Sequence, residues 1–173
     1  MAYCVVRTDK LMGTDVRSML ESVMYMGANG ATPTQVDNGN VLKVGALLGD
    51  STNGYEREIK VGAAPTASST LDEIVLVATP EVLYDERKHN LDDFTNEAGR
   101  VVRGYHLHSG DIFSVTKLGL DGKETPAIGD IVELKAGTKL NVVASATSGS
   151  TVIGKIAAID VSGRYTYYVI QVA

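Results

Sequence analysis

The chain has 173 residues, with 16 Lys+Arg against 21 Asp+Glu for a formal charge of −5, and 44% of it is hydrophobic. A chain of this length buries roughly 70% of its unfolded surface, so one domain, or a domain with an appendage, can stand on its own core without disulfide staples. The acidic balance argues against nucleic acid as a partner, because phosphate binding draws on clustered Lys and Arg, and no apolar run approaches the roughly 20 residues of a membrane-crossing helix.

The N-terminal segment differs in kind from the rest. Cys4 is the only cysteine, which excludes an intrachain disulfide and a thiolate zinc cluster and reads as a small buried thiol. Arg7, Asp9 and Lys10 interrupt any signal-peptide core, so the mature chain is expected to begin at Met1. All five methionines fall within the first 26 residues. Between residues 13 and 27, Val16, Met19, Leu20, Val23 and Met26 follow the spacing of one helical face, with Thr14 or Asp15 as cap and Gly27 as stop. Met24 adds to this flexible, polarizable surface. Two readings stand: a short helix covering the chain's own core, or an arm that docks on another subunit. Glycines, asparagines and Pro33 in residues 28–40 mark a linker, which divides the chain into an arm, 1–34, and a β domain, 35–173.

Beyond the linker the pattern is β. Residues 41–48, 56–61, 73–79, 111–117, 131–134, 140–144, 152–161 and 165–172 are short runs rich in Val, Ile and Tyr, bounded by turn formers. They predict an antiparallel β-barrel or β-sandwich. Residues 74–78 are apolar on both faces and should be central, and Ser162-Gly163 reads as a hairpin turn. Gly110-Asp111-Ile112 recurs as Gly129-Asp130-Ile131, each opening a strand, though Gly-Asp is common in turns. Residues 85–100 form a highly charged connection with Phe94 as its only aromatic, either a solvated loop pinned by Phe94 or a loop that touches a neighbouring subunit. Tyr165, Tyr167 and Tyr168 crowd one strand, where they suit a core or an interface.

Chemistry is sparse. His106 and His108 could share a strand face, with Asp111 or His89 as a third ligand, but no metal-site motif supports them and surface histidines are the preferred reading. Asp92, Asp93, Asn96 and Glu97 lack the alternation and central glycine of a calcium loop. Neither a G-x-S-x-G nucleophile elbow nor a phosphate-cradling glycine loop occurs. The expectation is a chain that is not an enzyme, with no catalytic residue, no metal and no cofactor.

Residues 35–48 (QVDNGNVLKVGALL), 78–116 (ATPEVLYDERKHNLDDFTNEAGRVVRGYHLHSGDIFSVT) and 126–140 (PAIGDIVELKAGTKL) resemble auxiliary head proteins of tailed bacteriophages, the decoration or cement proteins of capsid lattices. The resemblance is one of texture and element order. It implies a β-rich structural virion protein on the phage head, assembled in the host cytoplasm, whose partners are the major capsid protein and copies of itself, with no nucleic acid and no membrane. A tail or connector subunit, or a small β-barrel ligand-binding module, is the alternative. The candidate partner-binding residues are Val16, Met19, Leu20, Val23, Met24 and Met26 of the arm, and Phe94.

Overall fold

The computed structural model describes residues 2–7, 20–49, 58–85, 87–88 and 90–173. They are mainly β, as the runs of Val, Ile and Tyr require. Strands β1 (Leu20–Tyr25), β2 (Val41–Leu47), β3 (Lys60–Ala63), β4 (Ile74–Val77) and β5 (Val101–His106) close a barrel in the order β1-β3-β2-β4-β5. Strands β6 (Ile112–Thr116), β7 (Leu120–Gly122), β8 (Ile131–Glu133), β9 (Leu140–Val143), β10 (Val152–Ser162) and β11 (Tyr165–Val172) form a six-stranded sheet in the order β6-β11-β10-β8-β9-β7. Pairing is antiparallel except for β1 with β3 and β7 with β9.

Strand β4 explains how the two sheets become one body. Its side chains alternate between two buried environments. Val75 and Val77 turn into the barrel beside Val23, Leu42 and Val102, while Ile74 and Leu76 turn outward onto Phe113, Val115, Ile156 and Ile170 of the open sheet. The continuous apolar run that marked residues 74–78 as central follows from this double burial. A five-stranded barrel has a narrow bore, and glycines keep it narrow: a Cβ on Gly62 would meet Val23 Cγ1 at 2.7 Å, and one on Gly104 would meet Val75 Cγ2 at 2.7 Å.

The helix expected across residues 13–27 is not formed where the chain is described, because Leu20–Tyr25 is strand β1. It pairs with β3 on one side and β5 on the other. Val23 and Tyr25 face the barrel interior, whereas Leu20 faces the intersheet core. A strand buried on both faces loses its alternation, so a few spaced apolar residues fit a period of 3.6 as well as one of 2. Val16 and Met19 lie outside the described residues.

The first residues also belong to the core. Thr116 N donates to Val5 O at 3.0 Å and Arg7 N to Ser114 O at 3.0 Å, which lays residues 2–7 along the outer edge of β6. Cys4, Val5 and Val6 are buried there. Residues 28–40 pack rather than separate: Thr34 N donates to Tyr25 O at 3.0 Å, and Val36 bridges to Asn96. The described parts of 1–34 and 35–173 therefore share cores.

The Gly-Asp recurrence is a recurrence of turns. Gly110 and Gly129 both have φ +92°, a conformation that favours glycine. Asp111 N donates to His108 O and its carboxylate accepts from His108 N at 2.8 Å; Asp130 repeats both bonds with Ala127, the second at 2.6 Å. The strands that follow take different places in the sheet, since β6 pairs with β11 and β8 with β9 and β10.

Candidate partner-binding groove

The hairpin of β10 and β11 is joined by Gly163 and Arg164, as the Ser162-Gly163 signal predicts. Its tip meets two other parts of the chain, the N-terminal segment and the turn Leu91–Asp93. Tyr3 N donates to Asp92 O at 3.0 Å, which ties those two together. Asp92 Oδ1 accepts from Tyr165 Oη at 2.8 Å and also from the Arg164 guanidinium. Desolvation pushes the Asp92 carboxyl upward, but these hydrogen bonds outweigh it and hold the group below the ordinary carboxylate range. Partial burial and then the same bond from the other side push the Tyr165 hydroxyl up.

Two arginines lie across two tyrosines. The Arg7 guanidinium carbon sits 5.2 Å from the Tyr167 ring centre and that of Arg164 5.1 Å from the Tyr165 ring centre. The two rings are 6.0 Å apart and tilted by 53°, and Arg7 reaches Asp160 at 3.8 Å. These side chains, with Val6, Leu91 and Glu81, line an open groove of about 500 Å³. A guanidinium over an aromatic face contributes about 0.5–1 kcal/mol at exposed sites and more when a partner excludes water. The groove thus offers Leu91 and the half-buried Tyr165, edged by two arginines that Asp160 and Asp92 pair and by the Glu81 carboxylate.

The residues singled out from the sequence are mostly elsewhere. Val23, Met24 and Phe94 are buried within the chain itself, and Leu20 and Met26 are half-buried. Burial in the chain's own core removes Val23, Met24 and Phe94 from any free binding surface. Phe94 pins the charged connection, with Arg100 over its ring at 5.5 Å. Arg164 carries no signal in the sequence, and Asp92 and Arg7 are legible there only as a calcium-loop candidate and a break in a signal-peptide core, although the three tyrosines point to this strand. Tyr167 is buried, while Tyr165 and Tyr168 are half-buried.

The candidate ligands are divided among structural tasks. His106, at the end of β5, lies 3.4 Å from Glu21, which also binds Lys60 of the neighbouring strand β3 at 2.5 Å. Desolvation raises the Glu21 carboxyl, but the bonds to Lys60 and His106 prevail and lower it. His108 is exposed beyond the strand, and Asp111 is held by the His108 backbone. Asp93 accepts from Asn90 N, and Asn96 binds Val36 O. Among the described residues, no group of three or more His, Cys, Asp and Glu is placed to hold a metal ion. His89 lies outside them.

Ser114-Val115-Thr116-Lys117 has the letters of an S-x-x-K dyad. On an extended chain the first and fourth residues point to opposite faces, and Lys117 Nζ donates to Leu120 O at 3.1 Å. The Cys4 thiol is pushed up to about 12 by burial, which outweighs its Thr116 hydrogen bond. It is an inert packing group. No family model matches the chain, and neither the curated proteins nor the solved structures contain a match.

Proposed function

We propose that the chain is a structural virion subunit, a capsid decoration protein that binds the major capsid protein lattice and stabilises the phage head. The groove edged by Arg7, Arg164 and Tyr165, with the buried Tyr167 behind Arg7, carries this reading. Arginine and tyrosine concentrate in the cores of protein interfaces because each brings large, stiff area and a polar end. Their positions here are fixed by ring contacts and by Asp92 before any partner arrives, which lowers the ordering cost of binding. The resemblance in residues 35–48, 78–116 and 126–140 supplies the class of partner, and a repeating lattice would multiply a modest single contact.

The test is co-sedimentation of the purified chain with capsids assembled from the major capsid protein of the same genome. Saturable binding at a fixed ratio is expected. Replacing both Arg7 and Arg164 with Ala should weaken it by roughly tenfold or more, the loss expected for a central interface residue. Absence of binding to both unexpanded and expanded capsids would overturn the proposal, and co-sedimentation with tail or connector assemblies alone would favour that alternative.

A further inference from the structure

The dipeptide Asn-Gly occurs at residues 29–30, 38–39 and 53–54, the last outside the described residues. It forms turns readily, and it is also chemically special. Glycine places no Cβ beside its own nitrogen, so that nitrogen can reach the carboxamide carbon of the preceding asparagine and close a cyclic imide. Bulkier residues follow Asn40, Asn90, Asn96 and Asn141.

The structure treats the two described copies oppositely. Asn38 is 1% exposed, and its carboxamide is engaged at both ends. Nδ2 donates to Thr79 O at 2.7 Å and to Glu81 Oε1 at 3.3 Å, while Oδ1 accepts from Thr79 N at 3.0 Å and from Asn96 Nδ2 at 3.1 Å. The attacking atom is held too, since Gly39 N donates to Val77 O at 2.7 Å. Asn29, by contrast, is exposed in the turn that leaves β1, and among the described residues none bonds its carboxamide. Gly30 N donates across that turn to Gly27 O at 3.2 Å, the long limit for such a bond.

We infer that Asn29 is a site of spontaneous deamidation in the folded chain, and that the fold withholds the identical Asn38 from the same reaction. Gly30 N attacks Asn29 Cγ, a C–N bond forms, and the carboxamide nitrogen leaves as ammonia with the proton that Gly30 N gives up. Water then opens the imide. Cleavage at Cγ leaves aspartate, whereas cleavage at the Asn29 carbonyl carbon leaves isoaspartate, with the main chain routed through the side chain. Either product adds one negative charge to the chain's −5. Position 29 can take the change, because Thr32 N to Met26 O and Thr34 N to Tyr25 O, both 3.0 Å, anchor the chain beyond the turn. Position 38 cannot. A carboxylate there has no hydrogen for Thr79 O or Glu81 Oε1 and would meet both as another acceptor, and leaving buried polar groups unpaired is costly. The inference concerns the chain's own chemistry and does not depend on capsid binding.

Ageing the full folded chain in mildly alkaline buffer, with mass spectrometry of the separate peptides bearing residues 29, 38 and 53, tests this directly. Aspartate and isoaspartate should accumulate at 29, with conversion at 38 slower by about tenfold or more, because several buried bonds must open before Gly39 N can attack. In denaturant the two sites should convert at similar rates. Asn29→Gln, whose longer side chain closes an imide far less readily, should abolish the product at that peptide and leave the rest of the map unchanged. Equal rates at 29 and 38 in the folded chain, or no conversion at 29 while the denatured chain converts there, would overturn the inference. Refolding supplies a second readout: Asn29→Asp should refold with the parent's yield and Asn38→Asp should not. Parental refolding of Asn38→Asp would overturn the assignment of that protection to the Asn38 bonds.

Discussion

The barrel and the open sheet solve the same problem differently. The barrel hides every strand edge by closing on itself, and its interior is filled by small residues, chiefly valines, around Gly62 and Gly104. The open sheet packs larger side chains, among them Phe113, Ile153, Ile156 and Ile170. It covers one edge with residues 2–7, and among the described residues none pairs with the far half of β10 on the side away from β11. Closure confers tolerance to water at every edge, while an open sheet depends on whatever covers it. That dependence explains why the first residues are structural.

The largest expected effect comes from removing the cover. Deleting residues 1–7 exposes the edge of β6 and the places of Cys4, Val5 and Val6. Full burial of a Val-sized side chain contributes about 1.5–3 kcal/mol, so three such side chains amount to a loss of about 4.5–9 kcal/mol, comparable with the whole stability of a domain. Insoluble or unfolded protein by circular dichroism is expected. A soluble deletion protein melting within a few degrees of the parent would show that residues 1–7 are as dispensable to the fold as the reading of 1–34 as an arm expects.

A smaller, internal contrast uses two glycines. A Cβ on Gly154 of the sheet would lie 2.0 Å from Gln171 O, a backbone atom of the neighbouring strand, whereas one on Gly104 of the barrel would meet a Val75 side chain. Side chains yield more easily than paired strands, so Gly104→Ala should cost about 1–3 kcal/mol, the usual range for overpacking, and Gly154→Ala more. Urea denaturation of both proteins checks the order. A smaller effect at Gly154 would mean that the sheet is the more pliable of the two.

A third comparison is between two acids. Glu133 in the sheet is buried and accepts from Asn141 Nδ2 at 2.9 Å and Thr147 N at 2.8 Å. Burial raises its carboxyl, but those bonds outweigh it and lower it. The bonds to Lys60 and His106 do the same for Glu21 in the barrel. A carboxyl lowered by folding stabilises the native state above its unfolded value, about 4.3 for Glu, and the contribution is lost as pH falls through the folded value. Glu133→Gln and Glu21→Gln should each flatten the acid limb of a melting-temperature profile below about pH 4.3, Glu133→Gln more strongly because its carboxylate is better buried. An unchanged limb in both would assign acid sensitivity to other groups, with Asp130 and its Lys123 partner as the next to vary.

How far the sequence reveals this structure depends on how many faces each strand buries. The runs at 41–48, 73–79, 111–117, 131–134, 140–144, 152–161 and 165–172 show clear β composition and became β2, β4, β6 and β8 to β11. β1 escaped because Val23 and Met24 are buried on opposite faces, leaving no alternation to read. β5 escaped because Arg103-Gly104 breaks the run VVRGYH, although Gly104 is there to admit Val75. The three-residue β7 has too little sequence for a pattern. Of the groove, only the tyrosines were legible. Arg7 and Tyr167 are 160 residues apart, and nothing local in either announces that the N-terminal strand would bring one over the other.

The smallest effect on stability is expected where the largest effect on binding is proposed. The Arg164 side chain is 53% exposed and faces Asp92 and the Tyr165 ring. Solvent-exposed ion pairs contribute about 0–1 kcal/mol, and Tyr165 keeps its own hydrogen bond to Asp92 without the arginine. Arg164→Ala should therefore lower stability by about 1 kcal/mol at most, and increasing salt should narrow the difference between variant and parent by screening the pair in the parent. Phe94→Ala, two residues along the chain from Asp92 but buried, should cost about 3–5 kcal/mol. Chemical denaturation at low and high salt tests the pair of variants together. If Arg164→Ala proved as damaging as Phe94→Ala at both salt concentrations, the arginine would be a structural tie of the hairpin, and its place in the groove would no longer argue for a partner.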